Sequence, residues 1–595
     1  MDATDVMDSL RVDTLKSIAK QAGISKSITR KAELVEALNS FVKSDPAGFV
    51  DRLAPVERSL LAEAVHNDNR VEPVVFSAKY NVACPQPHPY GKNGSLIHMV
   101  ISGDRYSTEI EVPQTIADLL RPLVPKPAAP TPISVEHIPD THDLTDGRGR
   151  ADPTDIRPIH VFSGERTVFL ELRRMLQLVQ GGKARVQPKS GRPTPATQRA
   201  MAASLAAPDF DLELPAAEGN KYTLESGPVR AQAWAVLVQQ CGWCKASQGV
   251  LKLTREGQRL LQDPLSEALR DGVERLAMDD KIDELQRINN IRGQTGKARR
   301  WMTKPSERRE AILDGLAEWP LNEWLAFDEA YRFLNACGHP FTVTENPQSL
   351  YFCEQRYGYI PEQDGIDRQY LRVLLFESLA TLGLIDIAFV YPHFLWPELG
   401  GGWGTDDMDF CGRYDGLLYV RVNPLGMYCL AVSDQYTPPA AQKRNLFTLL
   451  PNHEIAVAGT QQLLPGDVSM LELFALKKSD HLWRIDRKLI LDYLECGGSL
   501  DDISRFLAEN ATEEGIPKTI RVLLDDLQAK ADAVVNTEEA WLVEFQDPAV
   551  AALVAHDSKA GKLCLLSGER HVAVAKTNER AFRTAVKKLG YVLPR

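Results

Sequence analysis

The 595-residue sequence has no apolar run of about 18 residues, so no stretch of it reads as a membrane-spanning helix. Its opening, "MDATDVMDSLR", carries neither a basic stretch nor an apolar one, and no secretory signal is expected. Catalytic signatures are missing as well. There is no Gly-x-Ser-x-Gly, no His-Glu-x-x-His and no second half of a helicase ATP site, and the twelve histidines are scattered. The nine cysteines lie mostly in apolar segments and read as buried thiols of a reducing compartment, so a cytoplasmic location and no membrane partner are expected. The single Cys-x-x-Cys, Cys241 to Cys244, lacks the second ligand pair that a structural zinc site needs.

Three near-misses deserve separation from real motifs. "IRGQTGKARRW", Ile291 to Trp301, looks like a phosphate-binding loop. However, Gly293 and Gly296 have two residues between them instead of four, and Ala298 stands where the Mg²⁺-binding hydroxyl belongs. "DDMD", with Asp406, Asp407 and Asp409, has no calcium-loop spacing and reads as an exposed acidic loop. "PDFDLELPAAEGNK" sketches a nuclease core with Asp209, Glu218 and Lys221, but its Glu-to-Lys spacing is one residue too long for one strand face. An enzyme, a metal and a cofactor are therefore all unexpected.

What the sequence does have is segregated charge. Its net charge is −11, yet the windows 11–43, 183–199, 287–309 and 570–595 together carry +22, leaving −33 on the rest. Basic faces on an acidic body can steer a polyanion to particular surfaces. Within 287–309, eight basic residues meet one acid, Glu307, and Trp301 lies among them. Such a loop could neutralise phosphates while Trp301 stacks on a base; the plainer alternative is a solvated linker. The candidate DNA-binding residues are Lys26, Arg30, Lys31, Lys183, Arg185, Lys189, Arg192, Arg292, Lys297, Arg299, Arg300, Trp301 and Lys304.

A chain this long should divide into several domains. Residues 10–42 predict two amphipathic helices, the first ended by Gly23. Helix, extended connection and a helix opening on Lys26, Arg30 and Lys31 resembles a SAP-type DNA-binding motif, with a plain helical hairpin as the alternative. "GSLIHMVISGDRYSTEIEVP" reads as two strands joined by a Gly-Asp turn, giving helices and a hairpin in winged-helix order. Residues 125–157, rich in Pro, Thr, Asp and Gly, read as a linker. The pattern returns at 158–280, where Gly181-Gly182 ends a helix and Thr194-Pro195 opens another. "VRAQAWAVLVQQCGWCKASQGVLKLTREGQRLL" then gives helix, strand, turn, strand and a helix opened by Thr254. A basic linker at 281–310 and a further winged-helix-like module at 311–440 follow. The expected class is α+β and helix-rich: a SAP-like hairpin at 1–45, winged-helix-like modules from 46 onward, and a C-terminal α/β domain at 441–595.

That last region carries a resemblance. "LPNHEIAV", "LWRIDRKLILDYLECG" and "GERHVAVAKTNERAFRTAVKKLGYV" make residues 445–595 similar to bacterial proteins described as XPB-type helicase N-terminal-domain-like. The resemblance implies association with an XPB-like helicase, or another subunit of DNA repair or anti-phage defence, by a chain that lacks the motor lobes. It brings no catalytic residue. The expected function is a non-catalytic DNA-binding and scaffolding subunit, with duplex or forked DNA held through salt-sensitive, weakly sequence-specific contacts. A protein–protein assembly factor without DNA binding and a nuclease with an unrecognised site are the alternatives.

Overall fold

The structure is a computed structural model that describes residues 3–25, 27–86, 93–103, 107–145, 151–207, 209–210, 228–262, 266–288, 290–294, 301–346, 350–352, 363–392, 410–439, 443–457, 463, 465–495, 498–513, 515–533 and 540–594. It is a mixed α+β protein in which helices alternate with small sheets, and every ladder between its strands is antiparallel. Proline opens many of the helices, among them Pro46–Arg52, Pro55–His66, Pro73–Tyr80, Pro195–Ala202, Pro305–Ala317 and Pro548–His556. The first turn suits it, because the N–H it lacks would have no helical partner there and its fixed φ is already helical. Among the described residues, no helix is long and apolar enough to cross a membrane.

Contacts divide the chain into two compact units. One comprises Met1–Lys443 with Gly459–Leu473 and Cys496–Gly498; the other comprises Arg444–Ala458, Phe474–Glu495 and Ser499–Arg595.

The first unit holds one apolar core from residues 7–124 and another from 162–429. In the former, helices Val12–Gln21 and Lys31–Ser44 bury Leu15, Ile18 and Ala19 against Leu34, Leu38 and Val42, the stripe their helical period lays down. Of the expected hairpin at 94–113, the described residues keep one antiparallel bridge, Ser102 with Glu111. Leu96–Met99 is a 3₁₀ turn, and Ile110–Glu111 pairs back on Arg70–Val71. Leu96, Ile97, Met99, Val100 and Ile101 are consecutive enough to be buried on all sides, and a run without alternation does not specify a half-exposed strand.

The second core is continuous across the borders drawn from the sequence at 280 and 310. Its five-stranded sheet runs in the order Ser134–Val135, Trp324–Ala326, Leu417–Val422, Ile385–Phe389, His160–Ser163. The Pro-rich stretch read as a linker thus supplies an edge strand and a further hairpin, Thr141–Thr145 with Ala151–Pro158. Short edge strands tolerate proline and polar residues, which is why that composition concealed them. Ile385–Phe389 is buried throughout and therefore shows no alternation. Beside this sheet a π-helical stretch, Leu374–Leu379, turns Glu377 toward Arg287 and Tyr414.

In the other unit, strands Phe447–Leu449, Glu454–Val457, Leu482–Ile485 and Ala475–Ser479 form one sheet in that order. In the hairpin 475–485, Trp483 and Ile485 face inward and Arg484 outward, a period of two. A second sheet, ordered Ala540–Glu544, His571–Ala575, Leu565–Ser567, packs Val543, Val572 and Val574 on Phe582 and Val586. Its other face exposes Leu542 and Leu565, which flank Ala573 in one cross-strand row and are 58% and 77% exposed.

Candidate nucleic-acid interface

Residues 168–262 fold as helix Val168–Gln180, an extended stretch at 184–186, helix Pro195–Ala202, helix Arg230–Gln240, strands Cys244–Ser247 and Val250–Leu253, and helix Arg255–Gln262. Local chemistry sets each border. Gly181 donates to the Gln177 carbonyl to close the first helix, and Gly182 follows at φ +68°. The Thr194 hydroxyl accepts from the Thr197 N–H and Thr254 from Gly257, so both threonines cap the helices that follow them. Between the strands, Gln248 and Gly249 both take positive φ, 52° and 76°. That two-residue turn matches the twist of a hairpin. A Cβ on Gly249 would come within 3.2 Å of the Val186 carbonyl oxygen, so glycine is also needed for close approach.

The extended stretch 184–186 joins this hairpin as a third strand. Arg185 bridges Val250, the Val186 N–H donates to Gly249 O at 2.9 Å, and the Leu251 N–H donates to Ala184 O at 3.0 Å. Lys245 lies opposite Lys252 in the register of the hairpin. Continuing the Arg185–Val250 register by two residues sets Lys183 opposite Lys252 as well. Directly paired residues share a sheet face, so Lys183, Lys252 and Lys245 form one row across three strands, with Arg185 beside it. All four are exposed. On the opposite face Ala184, Val186, Cys244 and Leu251 are buried in the core, which fixes the direction of the basic face.

The face is rigid where it matters. The Arg185 N–H donates to Thr197 Oγ1 at 2.7 Å, and that hydroxyl donates back to the Arg185 carbonyl at 2.7 Å. No carboxylate occurs from 172 to 208 or from 226 to 255, so neither stretch can supply an internal counter-ion to the row. Like charges directly opposite each other on a sheet oppose folding, which makes the Lys245–Lys252 pair a local cost.

Helix Arg230–Gln240 is buried on nearly every side, with only Val236 and Gln239 partly accessible. Its Arg230 guanidinium meets Glu171, both fully buried, and donates to Ala207 O at 2.9 Å. Trp234 Nε1 donates to the same carboxylate at 3.0 Å. Asp209 accepts the N–H groups of Val229, Arg230 and Ala231 and so caps this helix. Glu218 and Lys221 lie outside the described residues, as do Asp406, Asp407 and Asp409.

The other sequence candidates scatter. Lys189 is exposed on the turn after the third strand, but Arg192 is half-buried and donates to Gln286 O at 2.9 Å; burial and the neighbouring Arg287 pull its pKa down. Arg30 pairs with Glu33 at 3.5 Å while 84% exposed, and Lys31 Nζ donates to Asp8 O at 2.6 Å. Lys304 pairs with Glu307 at 3.1 Å, and that hydrogen bond raises its pKa. Arg292 is exposed, and Trp301 is 60% exposed with φ +51°. Lys26, Lys297, Arg299 and Arg300 lie outside the described residues.

Among the described residues of the basic window 287–309, three arginines are tied to carboxylates. Arg309 lies wholly buried against Glu284, with its Nε 2.8 Å from the carboxylate. Arg308 is buried against Asp283 at 3.0 Å, and Arg287 donates to Glu377 at 2.8 Å. Conversely, Lys245 and Lys252 were missed among the sequence candidates. The signal was present in "CKASQGVLKL", where a lysine stands near each end of a two-residue-turn hairpin.

Chemically, such a face can hold a polyanion. Cys241 and Cys244 are buried in the core, and burial pushes the Cys244 thiol up to about 12, which suits packing over nucleophilic chemistry. Among the described residues, no three His, Cys, Asp or Glu side chains gather as metal ligands. No family model matches the chain, and no curated protein matches it.

Proposed function

We propose that this chain is a non-catalytic DNA-binding and scaffolding subunit that works beside a helicase-type motor, in DNA repair or anti-phage defence. The observation that carries the DNA half is the face formed by Lys183, Arg185, Lys245 and Lys252, flanked by chain segments without a carboxylate. The order helix, strand, helix, helix, strand, strand, with the first strand beside the last, supports a winged-helix reading of 168–253 in which the hairpin is the wing. The motor half rests on the resemblance of residues 445–595 to the N-terminal-domain-like region of XPB-type helicase proteins.

Four phosphate contacts predict that affinity for duplex DNA falls roughly 100-fold between 50 and 200 mM salt. Fluorescence anisotropy on duplex, forked and single-stranded oligonucleotides across that range measures it. Replacing the four residues together, K183Q/R185Q/K245Q/K252Q, should flatten the dependence; an unchanged slope would place the DNA elsewhere.

A second reading, a protein-docking factor without DNA binding, is favoured by the exposed Leu542 and Leu565 on the C-terminal sheet. It requires copurification with a protein partner and no shift of any DNA at low salt.

A further inference from the structure

The basic face is made almost entirely of lysine, and the helix beside it has no side chain to offer a base. Resting on the reading of that face as a nucleic-acid interface, we propose that it grips a phosphodiester backbone without reading sequence, and accepts DNA and RNA duplexes alike.

In the helix-strand-helix-helix-strand-strand order, the third helix is the element that would enter a groove and present side chains to base edges. Here that helix is Arg230–Gln240, and its polar groups are engaged inside the protein. Arg230 is bound to Glu171 and Ala207 O. Gln232 accepts from Gln198 at 2.6 Å. Gln239 donates to Gly191 O at 2.9 Å and to Ala235 O at 2.6 Å, and Gln240 donates to Asp279 at 3.2 Å. Trp234 and Leu237 face the core. Exposing any of these to a groove would strip a buried ion pair or an apolar side chain from the interior, so the helix stays where it is.

What faces outward has the wrong chemistry for base recognition and the right chemistry for phosphates. Three of the four cations are lysines, compact point charges whose ammonium donors rotate freely. Base readout favours the planar forks of arginine, asparagine and glutamine. Adjacent strands stand about 4.8 Å apart, so the row Lys183–Lys252–Lys245 spans about 10 Å of backbone, a linear cationic comb. The remaining outward positions of the two hairpin strands, Ser247 and Val250, carry no planar fork, and the Oε1 of Gln187 on the neighbouring stretch already accepts from Ser190 at 2.9 Å. Nothing in this set tests for a ribose 2′-hydroxyl, the group by which a protein tells RNA from DNA.

The opposed lysines are the second, independent observation. An in-register like-charge pair hinders folding of its own hairpin, and a bound polyanion removes that repulsion. Binding and stability should therefore move in opposite directions when one charge is removed.

The experiment uses the full chain and four competitors of equal length: two DNA duplexes of equal composition but scrambled order, and their RNA counterparts. The expected result is agreement among all four within about threefold, with log affinity falling against log salt at a slope of about −3.6 for four phosphates. In parallel, K252Q should raise the thermal unfolding midpoint while weakening every duplex, a pairing that a lysine serving only solubility would not show. A tenfold preference for one sequence or one sugar overturns the inference and leaves the interface standing, and so does a K252Q variant that loses affinity with a lowered midpoint. Absence of salt-dependent binding to all four removes the interface itself.

Discussion

Two segments that look alike in sequence, 183–199 and 287–309, treat several of their cations in opposite ways. The first turns Lys183, Arg185 and Lys189 outward, and joins Lys183 and Arg185 to two further lysines brought alongside by the hairpin 244–253. The second ties Arg287, Arg308 and Arg309 to carboxylates and buries the last two. The difference lies in what each segment meets in the fold. Asp283 and Glu284 stand immediately upstream of the second segment and Glu377 arrives on the π-helical turn, whereas the first segment lies in chain that has no acid of its own. A buried guanidinium is tolerated only when paired and hydrogen-bonded, and an unpaired lysine stays in water. A linear charge count cannot separate these cases.

The comparison can be broken most forcefully at Arg309. R309A leaves Glu284 charged and buried, and should cost about 3–5 kcal/mol of stability in denaturant unfolding, with DNA affinity of the folded fraction unchanged. A loss of affinity without loss of stability would make Arg309 a ligand contact after all.

A smaller effect tests how the same neighbourhood handles a carboxylate without a close cation. Asp367 accepts the Val343 N–H at 2.7 Å. Burial, helped by Asp364, pushes its pKa from 3.8 to about 7, against the opposing pull of that N–H and of Arg308. Between those values the folded protein holds a proton that the unfolded chain releases. The stability linked to Asp367 is therefore complete below pH 3.8 and lost as pH rises through about 7. D367N should remove that decline. Relative to the parent, it should gain about 1–3 kcal/mol between pH 4 and pH 8, read from urea midpoints. A constant difference across that range would show that Asp367 does not titrate there.

The smallest effect sharpens the contrast from the other side. R292Q/K304Q removes the two exposed cations that the structure describes in the second segment, and should leave both the unfolding midpoint and the slope of log affinity against log salt where they were. A slope reduced by about 2 would extend the interface to this segment.

Much of the local structure was legible before folding was considered. Thr194-Pro195, Gly181-Gly182 and Thr254 mark helix ends by chemistry that acts within a turn, and all three act so in the structure. The strand Ile385–Phe389 was not legible, because a strand covered on both faces loses the alternation that would reveal it, and Trp324–Ala326, three residues long, is too short to display one. Nor was the edge strand Ser134–Val135, which forms only because Trp324–Ala326 is there to receive it.

The candidate interface divides the same way. Lys183, Arg185 and Lys189 stood out as basic residues around a turn, and the hairpin after helix Arg230–Gln240 was visible in its strand-turn-strand pattern. That Arg192 would tie itself to Gln286 O, or that the helix before the hairpin would be sealed by Glu171 and its neighbours, depends on contacts between residues tens of positions apart.

By itself the sequence determined where helices start and stop, which turns are tight, and which stretches have no acid to offset their charge, since caps, turn dihedrals and composition are local properties. Only the tertiary structure decided which arginines became internal struts and which lysines were aligned into one row. Those outcomes depend on strand register and on carboxylates delivered from distant elements, and both are fixed only when the core closes.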